Sequence, residues 1–267
     1  ESIEQNASNS EIHVMNIDGS DLQRLTRTAG SEFNLRWIEG GKRLAFLAKD
    51  DEIGKVQLFT MNADGTDRKC VSKAENGMTC FEISPDQTKV IYGSLIKAFE
   101  KDEALFGDLP NTSGRYVTDL MYKHWDEWVE EIPHPFLADF NGSSVENAVD
   151  IMSDEPFECP MKPFGAAETF AWSPDSKKIG FYRFDNSKVP MFPIYSAFAD
   201  PEAAASQSQS PLVTDLALGG SLSETRYPKA GQTNPQVQIG IVDLDSVVRN
   251  ETTDCHFERA KRVEKSI

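Results

Sequence analysis

One short motif occurs twice in this sequence, and the two copies lie 46 residues apart. Residues 15–21 read Met-Asn-Ile-Asp-Gly-Ser-Asp, and residues 61–67 read Met-Asn-Ala-Asp-Gly-Thr-Asp. The same offset aligns residues 37–46 with residues 83–92, so the similarity extends beyond the motif. A self-match of roughly 40–50 residues, made of short strands and Gly/Asp turns, is typical of a β-propeller blade. The repeat therefore predicts an all-β propeller built from four-stranded blades.

Each repeat has the features of strands joined by tight turns. Residues 11–17 alternate apolar and polar side chains, which predicts a half-buried strand. Asp-Gly dipeptides follow at 18–19 and 64–65, where Gly adopts a positive φ without steric cost and Asp bonds to its own backbone. A single four-stranded unit cannot bury both of its faces, so we expect neighbouring units to stack.

The repeat returns in the second half of the chain. Residues 171–181 resemble the strand and turn around Ile83, at an offset of 89 residues, which is close to two periods. A blade with an insertion is therefore expected between them, at roughly 95–150. Residues 199–224 are rich in Ala, Ser and Gln, which is typical of an irregular excursion and not of a strand.

We accordingly predict one partial propeller domain over residues 1–267, with irregular insertions at about 95–131 and 199–224. A short helix is predicted within the first insertion, over residues 97–106. At about 45 residues per blade, the chain holds at most about six blades. We therefore predict that the propeller is incomplete in this chain, which leaves strand edges that must pair with another element.

Charge and composition argue against two classes of partner. The chain carries 43 acidic and 27 basic residues, for a formal net charge of -16. Because nucleic-acid phosphates are neutralised by Lys and Arg, no nucleic acid is expected as a ligand. No run of about 18 apolar residues occurs, so no membrane span is expected. The chain begins with Glu1 and not with Met, and we interpret it as a mature or excised segment of a longer product.

The spacing of the metal-binding residue types predicts neither a metal nor a cofactor. The four histidines are scattered, and no two cysteines are separated by two residues as in a zinc ribbon. The Asn-x-Asp-Gly loops are shorter than an EF-hand and are better explained as Asx turns. Cys70 and Cys80 flank a loop and are candidates for a disulfide, but four reduced thiols are the favoured interpretation. The other two cysteines are Cys159 and Cys255.

Several motifs after residue 170 are similar to the N-terminal propeller of dipeptidyl peptidase IV. They are Trp-Ser-Pro-Asp at 172–175, Phe-Tyr-Arg-Phe-Asp at 181–185, Val-Pro at 189–190 and Tyr-Pro-Lys-Ala-Gly-x-x-Asn-Pro at 227–235. The Ser-Pro-Asp and Asn-x-Asp-Gly segments also resemble TolB-like repeats. Residues 121–164 look more like bacterial members of the wider prolyl oligopeptidase family. The resemblance covers about 11–250.

The resemblance implies a role in proteolysis. In that family a propeller caps an α/β-hydrolase domain with a Ser-Asp-His triad, filters peptides by size and holds the substrate's N-terminus. This chain has no Gly-x-Ser-x-Gly elbow, so we expect a non-catalytic propeller that gates and orients peptide substrates for a hydrolase domain of the same parent protein. The family also implies a periplasmic or extracellular location, and a homodimer is left open.

The substrate-binding candidates are less well defined. The family's paired Glu precedes the residue that matches Trp172 by about ten positions, where this chain has Met161 and Lys162. Three nearby carboxylates are candidates for gripping a substrate amine, with solvated surface positions as the alternative, and an Arg lies in the Phe-Tyr-Arg-Phe-Asp run. These candidates are Glu155, Glu158, Glu168 and Arg183.

Two alternative functions remain open at this stage. A TolB-like propeller can act as a binding module that docks a protein or peptide on its channel or top face. A carbohydrate-binding propeller that uses Trp125 and Trp128 is a weaker hypothesis, because aromatic residues at this spacing are more often core residues. His124 lies in the same aromatic cluster, and packing is its favoured role.

Overall fold

The computed structural model describes residues 6, 8–97, 123–124, 127–128, 131–153, 157–161, 165–196 and 221–244. This part of the chain is built from β-strands and two short 3-10 turns, at Glu39–Gly41 and Ala167–Thr169, as the repeat predicts. No helix among these residues is long and apolar enough to cross a membrane. The strands are β1 (His13–Val14), β2 (Gln23–Arg24), β3 (Glu32–Ile38), β4 (Arg43–Lys49), β5 (Val56–Asn62), β6 (Lys69–Cys70), β7 (Cys80–Ile83), β8 (Lys89–Lys97), β9 (Lys123–His124), β10 (Glu127–Trp128), β11 (Glu131–Phe140), β12 (Val145–Asp150), β13 (Phe170–Trp172), β14 (Lys178–Asp185), β15 (Met191–Ser196), β16 (Ser221–Arg226) and β17 (Gln236–Asp243).

The strands form blade-like sheets in which chain order follows sheet order. Strands β3-β4-β5-β6 make an uninterrupted antiparallel meander, which we call the first sheet. The second sheet has the order β12-β11-β8-β7, and the third has the order β13-β14-β17. In the second and third sheets the chain leaves after the second strand and returns for the next one, so both insertions fall at the same place in the repeat. The second sheet is thus a blade with an insertion, and its strands lie within residues 80–97 and 131–150.

The contacts divide the chain into two compact units. The first comprises Glu1–Ile96, Ile132–Phe181 and Gly240–Ile267, and the second comprises Lys97–Glu131 and Tyr182–Ile239. The second unit thus consists of the two insertions with the adjoining strand ends. Its described parts include the antiparallel hairpins β9–β10 and β15–β16.

The 46-residue repeat is present in the strand register itself. In the β1–β2 hairpin His13 pairs with Arg24, and in β5–β6 Phe59 pairs with Cys70, the same pair shifted by one repeat. The turns also match, because Asp18 Oδ1 accepts the Ser20 N–H at 3.0 Å and Asp64 Oδ1 accepts the Thr66 N–H at 2.9 Å. Gly19 and Gly65 have φ values of +86° and +85°. The predicted Asx turns are therefore confirmed.

The Ser-Pro-Asp segments form a second repeated turn. Ser84 Oγ donates to Asp86 Oδ1 at 2.6 Å, and Ser173 Oγ donates to Asp175 Oδ1 at 2.5 Å. In both turns the same hydroxyl accepts the backbone N–H of the Lys that opens the next strand, at 2.9 Å. The turn that joins the first two strands is thus closed by its own side chains, at both copies.

Three apolar clusters hold adjacent sheets together, as the stacking argument predicts. One lies between the first and second sheets, one between the second and third sheets, and one between the β1–β2 hairpin and the first sheet. Full burial of one large apolar side chain contributes roughly 1.5–3 kcal/mol. The fully buried Phe46 and Phe81 belong to clusters on opposite faces of the first sheet. Stacking therefore covers both of these faces.

The insertions differ in detail from the prediction. Residues 221–224 are not irregular, because β16 begins at Ser221 and pairs with β15 from Ser196↔Ser221 to Met191↔Arg226. This pairing is between backbone groups of distant segments, which composition does not report. The first insertion likewise contains the β9–β10 hairpin, and β8 extends to Lys97. The helix predicted over 97–106 otherwise lies outside the described residues.

The described cysteines are thiols, so the disulfide considered for Cys70 and Cys80 is not formed. The two side chains belong to different apolar clusters, and Cys70 Sγ donates to the Ser72 carbonyl at 3.2 Å. Burial raises the pKa of Cys80, and it raises the pKa of Cys159 to about 12. Cys255 lies outside the described residues.

Candidate functional site

The first strands of successive sheets contact one another, as expected of the innermost strands of propeller blades. Asn34 on β3 accepts the Phe81 N–H through Oδ1 at 2.9 Å and donates to the Phe81 carbonyl through Nδ2 at 3.3 Å. Trp172 on β13 donates from Nε1 to the Glu82 carbonyl at 3.3 Å. Strand β7 therefore lies between β3 and β13.

An ion pair joins two of these strands. Arg36 Nε on β3 donates to both carboxylate oxygens of Glu82 on β7, at 3.1 Å each, and Nη2 also donates to this carboxylate. The hydrogen bond that Arg36 donates to Glu82 raises the pKa of Arg36, and the charge of Glu168 contributes in the same direction. Two carboxylates from the starts of the second and third sheets therefore both favour the charged form of the Arg36 guanidinium.

Sequence reasoning missed the Arg36–Glu82 pair, although a signal for it exists. The two residues are 46 apart, so they occupy the same position in consecutive repeats. Equivalent positions on adjacent innermost strands are neighbours, and opposite charges there attract as cross-strand pairs do. A search of the repeat alignment for opposite charges would have found this pair.

The structure places the predicted substrate-binding residues in different environments. Glu168 is exposed on the 3-10 turn that precedes β13, close enough to influence Arg36. Glu158 is half-buried beside Cys159 and has a partner of its own. Arg183 is exposed on β14, in the second unit, where its charge helps to lower the pKa of Asp185, behind the hydrogen bonds from Ser187. Glu155 lies outside the described residues, so the four are not shown to form one site.

A buried histidine, His134, was not singled out from the sequence. His134 on β11 is 0% exposed, and its Nδ1 donates to Asp150 Oδ2 on β12 at 2.9 Å. Its Nε2 has no hydrogen-bond partner among the described residues. The signal was a His inside the apolar strand 132–140, where alternation places it in the core. The side chains of His124 and Trp128, and all of Trp125, lie outside the described residues.

A polar contact that we call the clamp recurs at the start of the second strand of three sheets. Arg43 Nη1 donates to Asn62 Oδ1 at 2.9 Å in the first sheet. Lys89 donates to Asp139 at 2.5 Å in the second sheet, and Lys178 donates to Asp243 at 2.6 Å in the third. The clamp joins the start of the second strand to the end of the third strand in the first, second and third sheets, so we assign it a structural role.

Comparison with known proteins gives the following similarities. The family described as the dipeptidyl peptidase IV (DPP IV) N-terminal region matches residues 163–264. Dipeptidyl-peptidase 5 of Porphyromonas gingivalis is 43% identical over 179 residues, which cover 67% of this chain and 26% of that protein. Dipeptidyl-peptidase 5 of Porphyromonas endodontalis is 38% identical over 180 residues, with the same coverage. The chain thus spans about a quarter of the length of the curated relatives it matches.

Two solved structures are similar to part of this chain. Acylaminoacyl peptidase of Pyrococcus horikoshii has a TM-score of 0.44 and 14% identity, over 68% of this chain and 25% of that chain. TolB of Acinetobacter baumannii has a TM-score of 0.37 and 16% identity, over 65% of this chain and 32% of that chain.

Proposed function

We propose, from the match that confirms the resemblance to the N-terminal propeller of dipeptidyl-peptidase-IV-like peptidases, that this chain gates and orients peptides for an α/β-hydrolase domain. That domain would belong to the same parent polypeptide, of which this chain is a part. By itself the chain contributes no catalysis. A peptide is the substrate of the whole protein in this proposal.

The observation that carries the proposal is the charge balance on the innermost strands. Arg36, Glu82 and Glu168 together hold one positive and two negative charges, so the group has an excess of one negative charge. A peptide with a free N-terminus brings one ammonium group, which complements that excess. Because Arg36 already donates to Glu82, we assign the exposed Glu168 as the carboxylate that meets the ammonium.

The test is a substitution in the parent peptidase. Glu168→Gln removes the charge while it keeps the shape of the side chain. We expect KM for a dipeptidyl substrate with a free N-terminus to rise about tenfold, which corresponds to about 1.4 kcal/mol. For an N-acetylated substrate of the same sequence, KM is expected to stay the same, because the ammonium is absent.

A matched control separates this effect from a general change in charge. Glu75→Gln removes the same charge from an exposed loop of the first unit and should leave both KM values unchanged. Equal losses for free and acetylated substrates would overturn the assignment of Glu168. Hydrolysis of a dipeptide-nitroanilide by the 267-residue chain alone, blocked by a serine-directed inhibitor, would overturn the non-catalytic role.

Location and assembly belong to the same proposal. Residence in the periplasm or outside the cell is supported only by the family's role in degrading peptides. Fractionation of the source cells tests this point, and recovery of the parent protein in the cytoplasm would contradict it. A homodimer is tested by sedimentation of the parent protein.

A further inference from the structure

Equivalent residues of β3 and β7 differ in how well they are covered. Leu35 on β3 corresponds to Phe81 on β7 by the 46-residue repeat, but Leu35 is 38% exposed and Phe81 is 0% exposed. Trp37 is 54% exposed, whereas its counterpart Ile83 is partly buried against the cluster between the first and second sheets. The apolar side chains of the innermost strand are thus covered in the second sheet, on β7, and exposed in the first sheet, on β3.

The reason lies in what precedes each sheet. The first sheet covers Phe81 within the cluster between the two sheets, to which Ile38 of β3 and Ala45 and Leu47 of β4 belong. Before the first sheet stands the β1–β2 hairpin, which corresponds to the third and fourth strands of a blade. This hairpin covers β4 and β5 through Ile12, but in the described part of the chain nothing covers β3 on that side. A cavity of about 130 Å³ lies between β1 and β3, lined by residues 12–14, 35–37 and 44.

The backbone of β1 shows the same gap. Its counterpart β5 pairs on both edges, with β6 on one side and with β4 on the other, where Phe59 pairs with Phe46 and Thr60 with Ala45. Strand β1 pairs with β2 on one edge, and no described strand pairs with the other edge. An unpaired strand edge beside exposed apolar side chains is a template for further strands.

We infer that the free edge of β1 and the exposed face of Leu35 and Trp37 form a docking site for a β-hairpin equivalent to β3–β4. The hairpin is supplied by another part of the same parent polypeptide. One of its strands pairs with His13 and Val14, in the register that Ala45 and Phe46 keep with Thr60 and Phe59. Its apolar side chains cover Leu35 and Trp37, as Ala45 and Leu47 cover Phe81.

The parent polypeptide is favoured over a second copy of this chain for two reasons. The curated relatives extend far beyond the matched region, since only 26% of their length is covered. In a second copy, strands β3 and β4 are already paired with each other and with β5, so that copy has no such hairpin to donate. The inference rests on the repeat and the strand edges, and it is independent of the peptide-handling proposal.

Site-specific alkylation tests the inference. Leu35→Cys places a thiol on the docking face, and Ile53→Cys places one in the β4–β5 turn, where the native side chain is equally exposed, at 39% against 38%. In the 267-residue chain we expect both thiols to react with iodoacetamide at similar rates. In the parent polypeptide we expect the Leu35→Cys thiol to react at least about tenfold more slowly and the Ile53→Cys thiol at an unchanged rate, with each site read by peptide mass spectrometry.

Two outcomes would overturn the inference. One is a Leu35→Cys thiol in the parent polypeptide that reacts as fast as the Ile53→Cys thiol. The other is protection in the 267-residue chain that grows with concentration alongside a dimer in sedimentation, which would assign the face to a second copy. Hydrogen exchange of the wild-type parent polypeptide checks the result without any variant, because strand pairing must slow the amides of residues 13–14. Neither measurement depends on peptidase activity, so the test stands even if the Glu168 proposal fails.

Discussion

The β1–β2 and β5–β6 hairpins share a turn, a register and a set of hydrogen bonds, but they differ in what covers them. Met15 and Met61 are equivalent residues that precede the two turns, yet Met15 is 60% exposed and Met61 is 0% exposed. Met61 packs in the cluster between the first sheet and the β1–β2 hairpin. The comparison teaches that the turn depends on residues close in sequence, whereas burial depends on which sheet stands next to it.

The largest expected effect is on the two methionines themselves. Met61→Ala should lower the free energy of unfolding of the 267-residue chain by about 2–5 kcal/mol, because it leaves a cavity in a packed cluster. Met15→Ala is expected to change it by less than about 0.5 kcal/mol, since this side chain is in solvent. Urea denaturation of both variants provides the measurement. Similar losses for the two would show that the β1–β2 hairpin is as well covered as β5–β6.

A second comparison concerns buried polar residues at one position of two third strands. Gln57 lies five residues before Asn62, and His134 lies five residues before Asp139. Both side chains are fully buried. Gln57 accepts from Ser72 Oγ at 2.6 Å and from the Ala74 N–H at 2.9 Å, and it donates to the Ala74 carbonyl at 2.8 Å. His134 instead uses one nitrogen, toward Asp150.

Substitution should separate these two solutions. Gln57→Met keeps the size of the side chain but removes one hydrogen bond each from the Ser72 hydroxyl, the Ala74 N–H and the Ala74 carbonyl. We therefore expect the free energy of unfolding to fall by about 1–3 kcal/mol. His134→Phe removes a single hydrogen bond and also the unpartnered Nε2, and Asp150 still accepts the Met152 N–H at 2.8 Å. We therefore expect a smaller loss for His134→Phe than for Gln57→Met in the same urea experiment. The reverse order would mean that the Asp150 carboxylate depends on the ring more than the contacts indicate.

The features that the sequence predicts are those that depend on residues close together in the chain. The Asp-Gly and Ser-Pro-Asp turns were predictable, because the hydrogen bonds that close them join residues at most five apart, as between Asp18 and Ser20 or between Ser84 and Lys89. The strand β16 was not, because its partner β15 lies beyond a long insertion and its own composition is polar. The clustering of Glu168 with Arg36 and Glu82 required the order of the sheets, since it joins three repeats. The sequence suggested Glu168 as a substrate-binding residue, but only the fold shows that it lies near Arg36.

The repeated clamp is expected to have a smaller effect than the buried groups. Lys89→Met removes the bond to Asp139, and Lys178→Met removes the bond to Asp243; all four side chains are 35–46% exposed. Exposed ion pairs contribute about 0.2–1 kcal/mol, so we expect each loss to fall in that range and to shrink at high salt. Lys73→Met, on the exposed surface, is the control and should have no effect. A loss that persists in 1 M salt would show that the clamp acts by packing and not by charge.

The smallest expected effect concerns the two Asp-Gly turns, which are the features that the β1–β2 and β5–β6 hairpins share. A hydroxyl hydrogen bond, from Ser20 and Thr66 respectively, is the main reason that the pKa values of Asp18 and Asp64 lie below the ordinary value of 3.8. A folded-state pKa below the unfolded value gives stability that is present above the unfolded pKa and is lost as the pH falls through the folded pKa. Both turns should therefore lose stability only below about pH 4.

Carboxyl NMR titration of the 267-residue chain measures the two pKa values directly. We expect both to lie below 3.8 and close together, although only one of the turns belongs to a complete sheet. Thr66→Val removes the hydroxyl that donates to Asp64, so it should raise the pKa of Asp64 and leave that of Asp18 unchanged. Ser20→Ala should raise the pKa of Asp18 and leave that of Asp64 unchanged. If instead the two values differ widely in the wild-type chain, or if Thr66→Val also shifts Asp18, the turns respond to their neighbours. The conclusion that these turns depend only on residues close in sequence would then be wrong.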